Sequence, residues 1–167
     1  MENRITLVYE IIKKVNKLCA SFAGLILLFI TISVFTDVFM RYFFNRPSIW
    51  ITEISTYLFL YVIFLGTAYA LQMDLHIRVT FLLTQVPRGY VRWFEGITST
   101  CCIAFCAVLL WQTTVMTWAS FTEHWTTPTM LSVPCAWIYI VMVFGSALLL
   151  LTLILRTILR FLLEKEL

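Results

Sequence analysis

The chain has 167 residues, of which 61% are hydrophobic and 13% charged, and it carries a net charge of +3. A soluble domain is about half apolar and a quarter charged, so this composition describes an integral membrane protein and leaves no room for a soluble domain. The positive balance reads as membrane topology and attraction to anionic headgroups, and it offers no basic, soluble surface for nucleic acid.

Four apolar runs, at 18–40, 50–71, 97–118 and 134–155, each come close to the roughly 20 residues that an α-helix needs to cross the bilayer. The expected architecture is an all-α membrane protein, a single integral domain over 1–167. Lys13, Lys14 and Lys17 precede the first run as they would in a signal peptide. That run is longer than a signal core and ends in charge and aromatics without a small-x-small cleavage pattern, so it is read as a retained span.

Four crossings place ten of the twelve Lys and Arg (Arg4, Lys13, Lys14, Lys17, Arg78, Arg88, Arg92, Arg156, Arg160 and Lys165) on one side, leaving Arg41 and Arg46 on the other. The positive-inside rule makes both termini cytoplasmic.

In chain order, Ile5, Val8, Ile12 and Val15 form a helical stripe beside the three lysines, the pattern of an amphipathic helix in the cytoplasmic headgroup layer that leads into span one. Span one ends with Asp37 and Arg41, one helical turn apart and able to pair at the outer interface. Asn45-Arg46-Pro47-Ser48 makes a short turn, with Asn45 or Ser48 as the cap of the next helix. Glu53 falls in the first turn of span two, where the positive end of the helix dipole favours a carboxylate and Arg41 or Arg46 is in reach. Trp50 suits an interface anchor.

Deeper in span two, Gly66 and Ala70 form a small-xxx-small pair, a face that another helix can approach closely. Whether that helix belongs to this chain or to another is open. After His76, Val79, Leu82, Leu83 and Val86 repeat at helical spacing before Pro87-Arg88-Gly89. This predicts a helix over 77–86 lying flat at the cytoplasmic surface, with His76, Arg78, Arg88 and Arg92 at that interface. Span three carries many Ser and Thr, which can bond back to their own helix, and Gln112 is its candidate interhelical contact. The longest outer connection contains Glu123, His124 and Trp125. Span four is almost purely aliphatic apart from Trp137, Tyr139 and Gly145-Ser146-Ala147.

No cofactor constellation survives this layout. His76 and His124, the only histidines, fall on opposite sides of the bilayer and cannot share one haem iron. The five cysteines lie in or beside spans, where they read as small packing residues, and Cys102 and Cys106 share a helical face without further metal ligands. A self-contained four-span exporter needs a carboxylate deep in the membrane, whereas Asp37 and Glu53 both sit at span ends. These features point away from an enzyme, a redox subunit or a lone exporter, and toward a partner that carries the transport pathway.

The run Arg41-Tyr42-Phe43-Phe44-Asn45-Arg46-Pro47, then Trp50-Ile51-Thr52-Glu53, Phe64-Leu65-Gly66-Thr67-Ala68, His76-Ile77-Arg78-Val79 and Val86-Pro87, resembles the small (DctQ-type) membrane subunit of tripartite ATP-independent periplasmic, or TRAP, transporters. Thr127-Pro128, Val133-Pro134, Trp137 and Tyr139 continue the resemblance, which covers nearly the whole chain. Thr52-Glu53 stands where the family often has two acids, and Thr80 where it often has an Asp.

The resemblance implies a subunit of the bacterial inner membrane that pairs with a large multi-span permease and a periplasmic substrate-binding protein. The large subunit would hold the substrate and sodium sites, and this chain would enlarge the static scaffold for uptake of small organic anions. No cofactor is implied. Asp37, Arg41, Arg46, Glu53, Glu123 and His124 are the candidates for outer-face anchoring or for docking the binding protein. Trp50, Gly66 and Ala70 are the candidates for packing against the large subunit or another helix.

Overall fold

The computed structural model describes the backbone of residues 2–46, 48–73 and 88–163 and the side chains of 7–46, 48–73 and 96–159. Within them the chain forms α1 (Glu2–Phe44), α2 (Ile49–Gln72), α3 (Arg88–Thr122) and α4 (Cys135–Leu163). All four contain a stretch long and apolar enough to cross a membrane. The chain is thus an all-α, multi-pass membrane protein. The surface helix expected over 77–86, with His76 and Arg78, and the side chains of Arg88 and Arg92, lie outside the described residues.

The helices outrun the predicted spans. With 43 residues α1 is one unbroken helix, about 64 Å long against about 30 Å of hydrocarbon. The amphipathic N-terminal segment is therefore the first part of the same helix as span one. Along it Val8 and Val15 are exposed, whereas Ile12 and Asn16 are buried. From Asn16 the buried positions of α1 continue through Ala23 and Ile30 to Asp37 in steps of seven. A seven-residue period keeps one narrow seam facing its neighbours over many turns. The seam is apolar in the middle and polar at both ends, and Asn16 and Asp37 stand about 32 Å apart along the helix axis, close to the hydrocarbon thickness.

In space α1 packs on α2 and α4, α2 packs on α4, and α3 joins the group mainly through α4. The α2–α4 contact includes a close backbone approach. A Cβ built on Gly145 of α4 would stand 2.6 Å from the Phe64 carbonyl oxygen and 2.7 Å from the Phe64 Cβ. Only a glycine lets the two backbones approach this far, the small-residue packing that membrane helices use. Gly145 belongs to a second seven-residue series, Ile138, Gly145 and Thr152, buried along α4. A Cβ on Gly66 would meet nothing within 4 Å, and Ala70 is half-buried, so the close approach inside this chain is made at Gly145.

On α3 the buried line is Cys106, Thr113, Thr117 and Ser120. Gln112 is exposed, and the contact between α3 and α4 is instead the Thr113 hydroxyl, 3.3 Å from that of Ser146. Thr113 also bonds the carbonyl of Leu109 in its own helix at 2.9 Å, so it reaches across without leaving its own polar group unpaired. A short hydroxyl at the seam can serve both partners, while the longer Gln112 turns outward.

Candidate functional site

The connections after Phe44 and after Thr122 bring the ends of α1 and α3 and the starts of α2 and α4 together, and most of the polar residues singled out in the sequence gather there. Asp37, only 5% exposed, uses both carboxylate oxygens. Oδ2 accepts from the Arg41 guanidinium at 3.0 Å, and Oδ1 accepts from the backbone N–H of Ser48 at 2.9 Å. Ser48 occupies the N-cap position of α2 without a side-chain cap bond. The expected cap by Asn45 or Ser48 is thereby replaced by a carboxylate from the preceding helix, which ties the hairpin shut. Asn45 adopts φ 52 just past α1, the left-handed conformation that Asn tolerates beyond a helix end.

Glu53 behaves differently from the sequence expectation. It lies just past the first turn of α2, and among the described residues the ion pairs are Glu10 with Lys13 and Asp37 with Arg41. In place of Arg41 or Arg46, its Oε1 and Oε2 accept the backbone N–H groups of Met130 and Leu131 at 3.3 and 3.4 Å. One turn further on, the Tyr57 hydroxyl lies 3.2 Å from Thr129 Oγ1. The Thr129 hydroxyl already donates to Thr127 Oγ1 at 2.9 Å, which makes Tyr57 the donor of that pair. Another turn on, Tyr61 donates to the Trp137 carbonyl at 2.8 Å. Glu53, Tyr57 and Tyr61 thus form a polar row at four-residue spacing that binds the α3–α4 connection and the start of α4. Four-residue spacing puts side chains on one helix face, and this is the signal by which the sequence could have disclosed the row.

The connection has its own order. Thr127 N–H donates to Val133 O at 3.0 Å and Cys135 N–H to Trp125 O at 2.9 Å, around a bridge between Thr126 and Pro134. Thr127 Oγ1 also accepts the Val133 N–H at 3.0 Å. Glu123 accepts the indole N–H of Trp125 at 2.7 Å. His124, exposed, sits in the left-handed region at φ 51. Arg46 and Trp50 are also exposed, so neither packs inside this chain. Tyr42, Phe43, Trp118 and Trp137 are each more than two-thirds exposed at the same end, a belt suited to the headgroup level.

The opposite end holds a polar contact that sequence reasoning missed. Asn16, fully buried, donates through Nδ2 to Thr152 Oγ1 at 2.9 Å and to Gln72 Oε1 at 3.3 Å, joining α1, α4 and α2. Arg156, one turn beyond Thr152, donates to the carbonyl of Leu71. Asn16 Oδ1 and, at the hairpin end, Ser120 Oγ are buried without a partner. All five cysteines are free, Cys106 buried and Cys102 exposed. Among the described residues no group of three or more His, Cys, Asp or Glu could hold a metal ion.

Four membrane-length helices, closed on one side by an ordered polar end, fit a component of a larger membrane assembly, and the relatives agree. Residues 30–163 match the family described as "Tripartite ATP-independent periplasmic transporters, DctQ component". The C4-dicarboxylate TRAP transporter small permease protein DctQ of Vibrio cholerae is 29% identical over 80 residues, 48% of this chain and 34% of that protein. A Haemophilus influenzae protein assigned as a TRAP transporter small permease protein is 38% identical over 82 residues, 49% of this chain and 48% of that protein. The aligned stretches thus span about a third to a half of these curated relatives. Because the family match takes in most of the chain, from the last part of α1 through α4, the chain belongs to the DctQ-component family of tripartite ATP-independent periplasmic transporters.

Proposed function

We propose that this chain is a non-catalytic scaffold subunit of a secondary transporter in a bacterial inner membrane, with the hairpin end facing outward and both termini cytoplasmic. A large multi-span permease subunit carries the substrate and sodium sites. A periplasmic binding protein delivers the substrate, a small organic anion, which is the class to which the C4-dicarboxylates named for the Vibrio cholerae relative belong. This chain braces the permease and offers part of the surface on which the binding protein docks.

The observation that carries this reading is the use of the buried polar side chains. Asp37, Asn16, Thr113, Ser146 and Thr152 make their bonds to neighbouring helices or to their own backbone, while the outward faces are long apolar rows such as Phe105, Val108, Trp111, Val115 and Trp118 of α3. Polar groups committed to helix–helix contacts stiffen the assembly, and exposed apolar rows suit lipid or a further membrane subunit. The orientation rests on Arg41 and Arg46 being the only arginines or lysines in the sequence at the hairpin end.

Reconstitution tests the reading. The chain alone in liposomes is inert under a sodium gradient, and uptake requires the large permease and the binding protein together. Substrate flux supported by this chain without companions overturns the proposal. Within the working complex, Arg46→Glu raises the binding-protein concentration needed for half-maximal uptake, because exposed charges govern encounter, while the subunits still copurify. Identical uptake curves for wild type and variant remove Arg46 from the docking surface.

A further inference from the structure

We propose that Glu53 is a positioning residue, a carboxylate on α2 that holds the α3–α4 connection in the shape the soluble partner meets. The inference rests on the reading of the hairpin end as the docking face and adds to it a residue that acts through the loop.

Three observations combine. First, the connection does not hold its shape at no cost. His124 and Ser132 both have positive φ, 51 and 44, in a region that costs an L-residue about 1–2 kcal/mol. Bonds from outside add to the loop's internal ones in favouring this conformation over others. Second, those bonds come from one face of α2. Glu53 accepts from two successive backbone N–H groups, Met130 and Leu131, and Tyr57 donates to Thr129. A carboxylate suits the pair because it offers an oxygen to each donor, and bonds to a charged acceptor are stronger than neutral ones. Third, Glu53 grips backbone and leaves the Met130 side chain outward. Met130 is 83% exposed, so an apolar tip stands clear of the helices on a backbone fixed from below. A surface set in shape before encounter binds with less ordering cost than one that must fold on contact.

Glu53 therefore need not touch the binding protein to matter to it. This separates Glu53 from Arg46, whose exposed charge would act in the encounter itself. It also assigns the polar row a division of labour. Tyr61 secures the start of α4 through Trp137, and Glu53 with Tyr57 secures the loop.

The test uses the full complex in nanodiscs and proteoliposomes, with Glu53→Ala, Glu53→Gln and Tyr57→Phe. Amide hydrogen exchange over 129–133 reads the clamp, and uptake against binding-protein concentration reads docking. Loss of the carboxylate in Glu53→Ala speeds exchange at Met130 and Leu131 by about tenfold, the effect of removing hydrogen bonds to a charged group. Glu53→Gln, which keeps one carbonyl acceptor, gives a smaller rise, and Tyr57→Phe speeds exchange without any change of charge. In the same order the variants raise the binding-protein concentration for half-maximal uptake, with the maximal rate retained. Exchange unchanged in both Glu53→Ala and Tyr57→Phe overturns the clamp. Faster exchange with an unmoved half-maximal concentration leaves the clamp standing and overturns the docking reading beneath it. If Glu53→Ala does not assemble, Glu53→Gln and Tyr57→Phe carry both readouts.

Discussion

The two ends of the α1 seam do the same job with different chemistry. At the hairpin end Asp37, buried beside the half-exposed Arg41, uses a carboxylate and accepts from a guanidinium and a backbone amide. At the opposite end Asn16, wholly enclosed by three helices, uses a neutral amide and donates to a hydroxyl and a second amide. Exposure accounts for the difference. The Arg41 side chain is 55% exposed beside Asp37, so water helps to carry that pair, whereas an ionised group in the place of Asn16 would face a desolvation penalty of several kcal/mol. The hairpin end also brings loop backbone within reach, with free N–H donors that suit carboxylates. At the opposite end the side chain of Asn16 meets other side chains.

Between the ends the helices are joined by backbone proximity at Gly145, and this gives the largest expected effect. Gly145→Leu places side-chain atoms where the Phe64 backbone now lies. Overpacking of this kind costs about 3 kcal/mol, or more where backbone rather than a flexible side chain blocks the way. Both ends loosen together, seen as a lower unfolding temperature of the detergent-purified chain. Gly66→Leu is the counterpart. A Cβ there meets nothing, so the chain keeps its stability; if α2 presents this face to the permease, copurification with that subunit is lost. Equal damage to the isolated chain from both substitutions rejects the assignment of Gly145 as the internal contact.

The hairpin end comes next. Asp37→Ala leaves the part-buried Ser48 N–H without its acceptor and Arg41 without its partner, a loss of about 1–3 kcal/mol. Asp37→Asn keeps an oxygen for Ser48 and loses the ion pair, which at a half-exposed arginine contributes about 1 kcal/mol or less. Unfolding in mixed SDS and mild detergent ranks the two. If Asp37→Asn is as damaging as Asp37→Ala, the charge rather than the cap holds the hairpin.

The parts of this architecture that were legible in the sequence are those that depend on one helix at a time. Apolar run length gave four spans, and the spacing of Asp37 and Arg41 gave their pair. Contacts between helices were harder to read. Gly66 and Gly145 both have small neighbours, and only the packed structure shows that Phe64 meets the second. Glu53 was read against its own helix dipole and nearby arginines, whereas its donors are Met130 and Leu131, far along the chain. Asn16 carried no signal beyond a polar residue among lysines. The seven-residue steps from Asn16 to Asp37 were present in the sequence, but with a polar residue at each end they do not stand out among apolar runs.

The smallest effect belongs to that least legible residue. Hydrogen bonds between membrane helices contribute about 0.6 kcal/mol on average, since the separated helices find other partners. Asn16 also brings a cost, because its Oδ1 is buried without a donor, and Asn16→Leu removes that orphan along with the two bonds. The gain and the loss offset each other, so the variant stays within about 1 kcal/mol of wild type, well short of Asp37→Ala in the same SDS titration. What Asn16→Leu should change is register. With no amide to seek Thr152 and Gln72, α1 can slide along an apolar seam, and a Cys pair placed across α1 and α4 near residues 16 and 152 should cross-link less selectively. A large stability loss with unchanged cross-linking would mean that the buried amide supplies adhesion, and that the two ends of the seam differ less than their chemistry suggests.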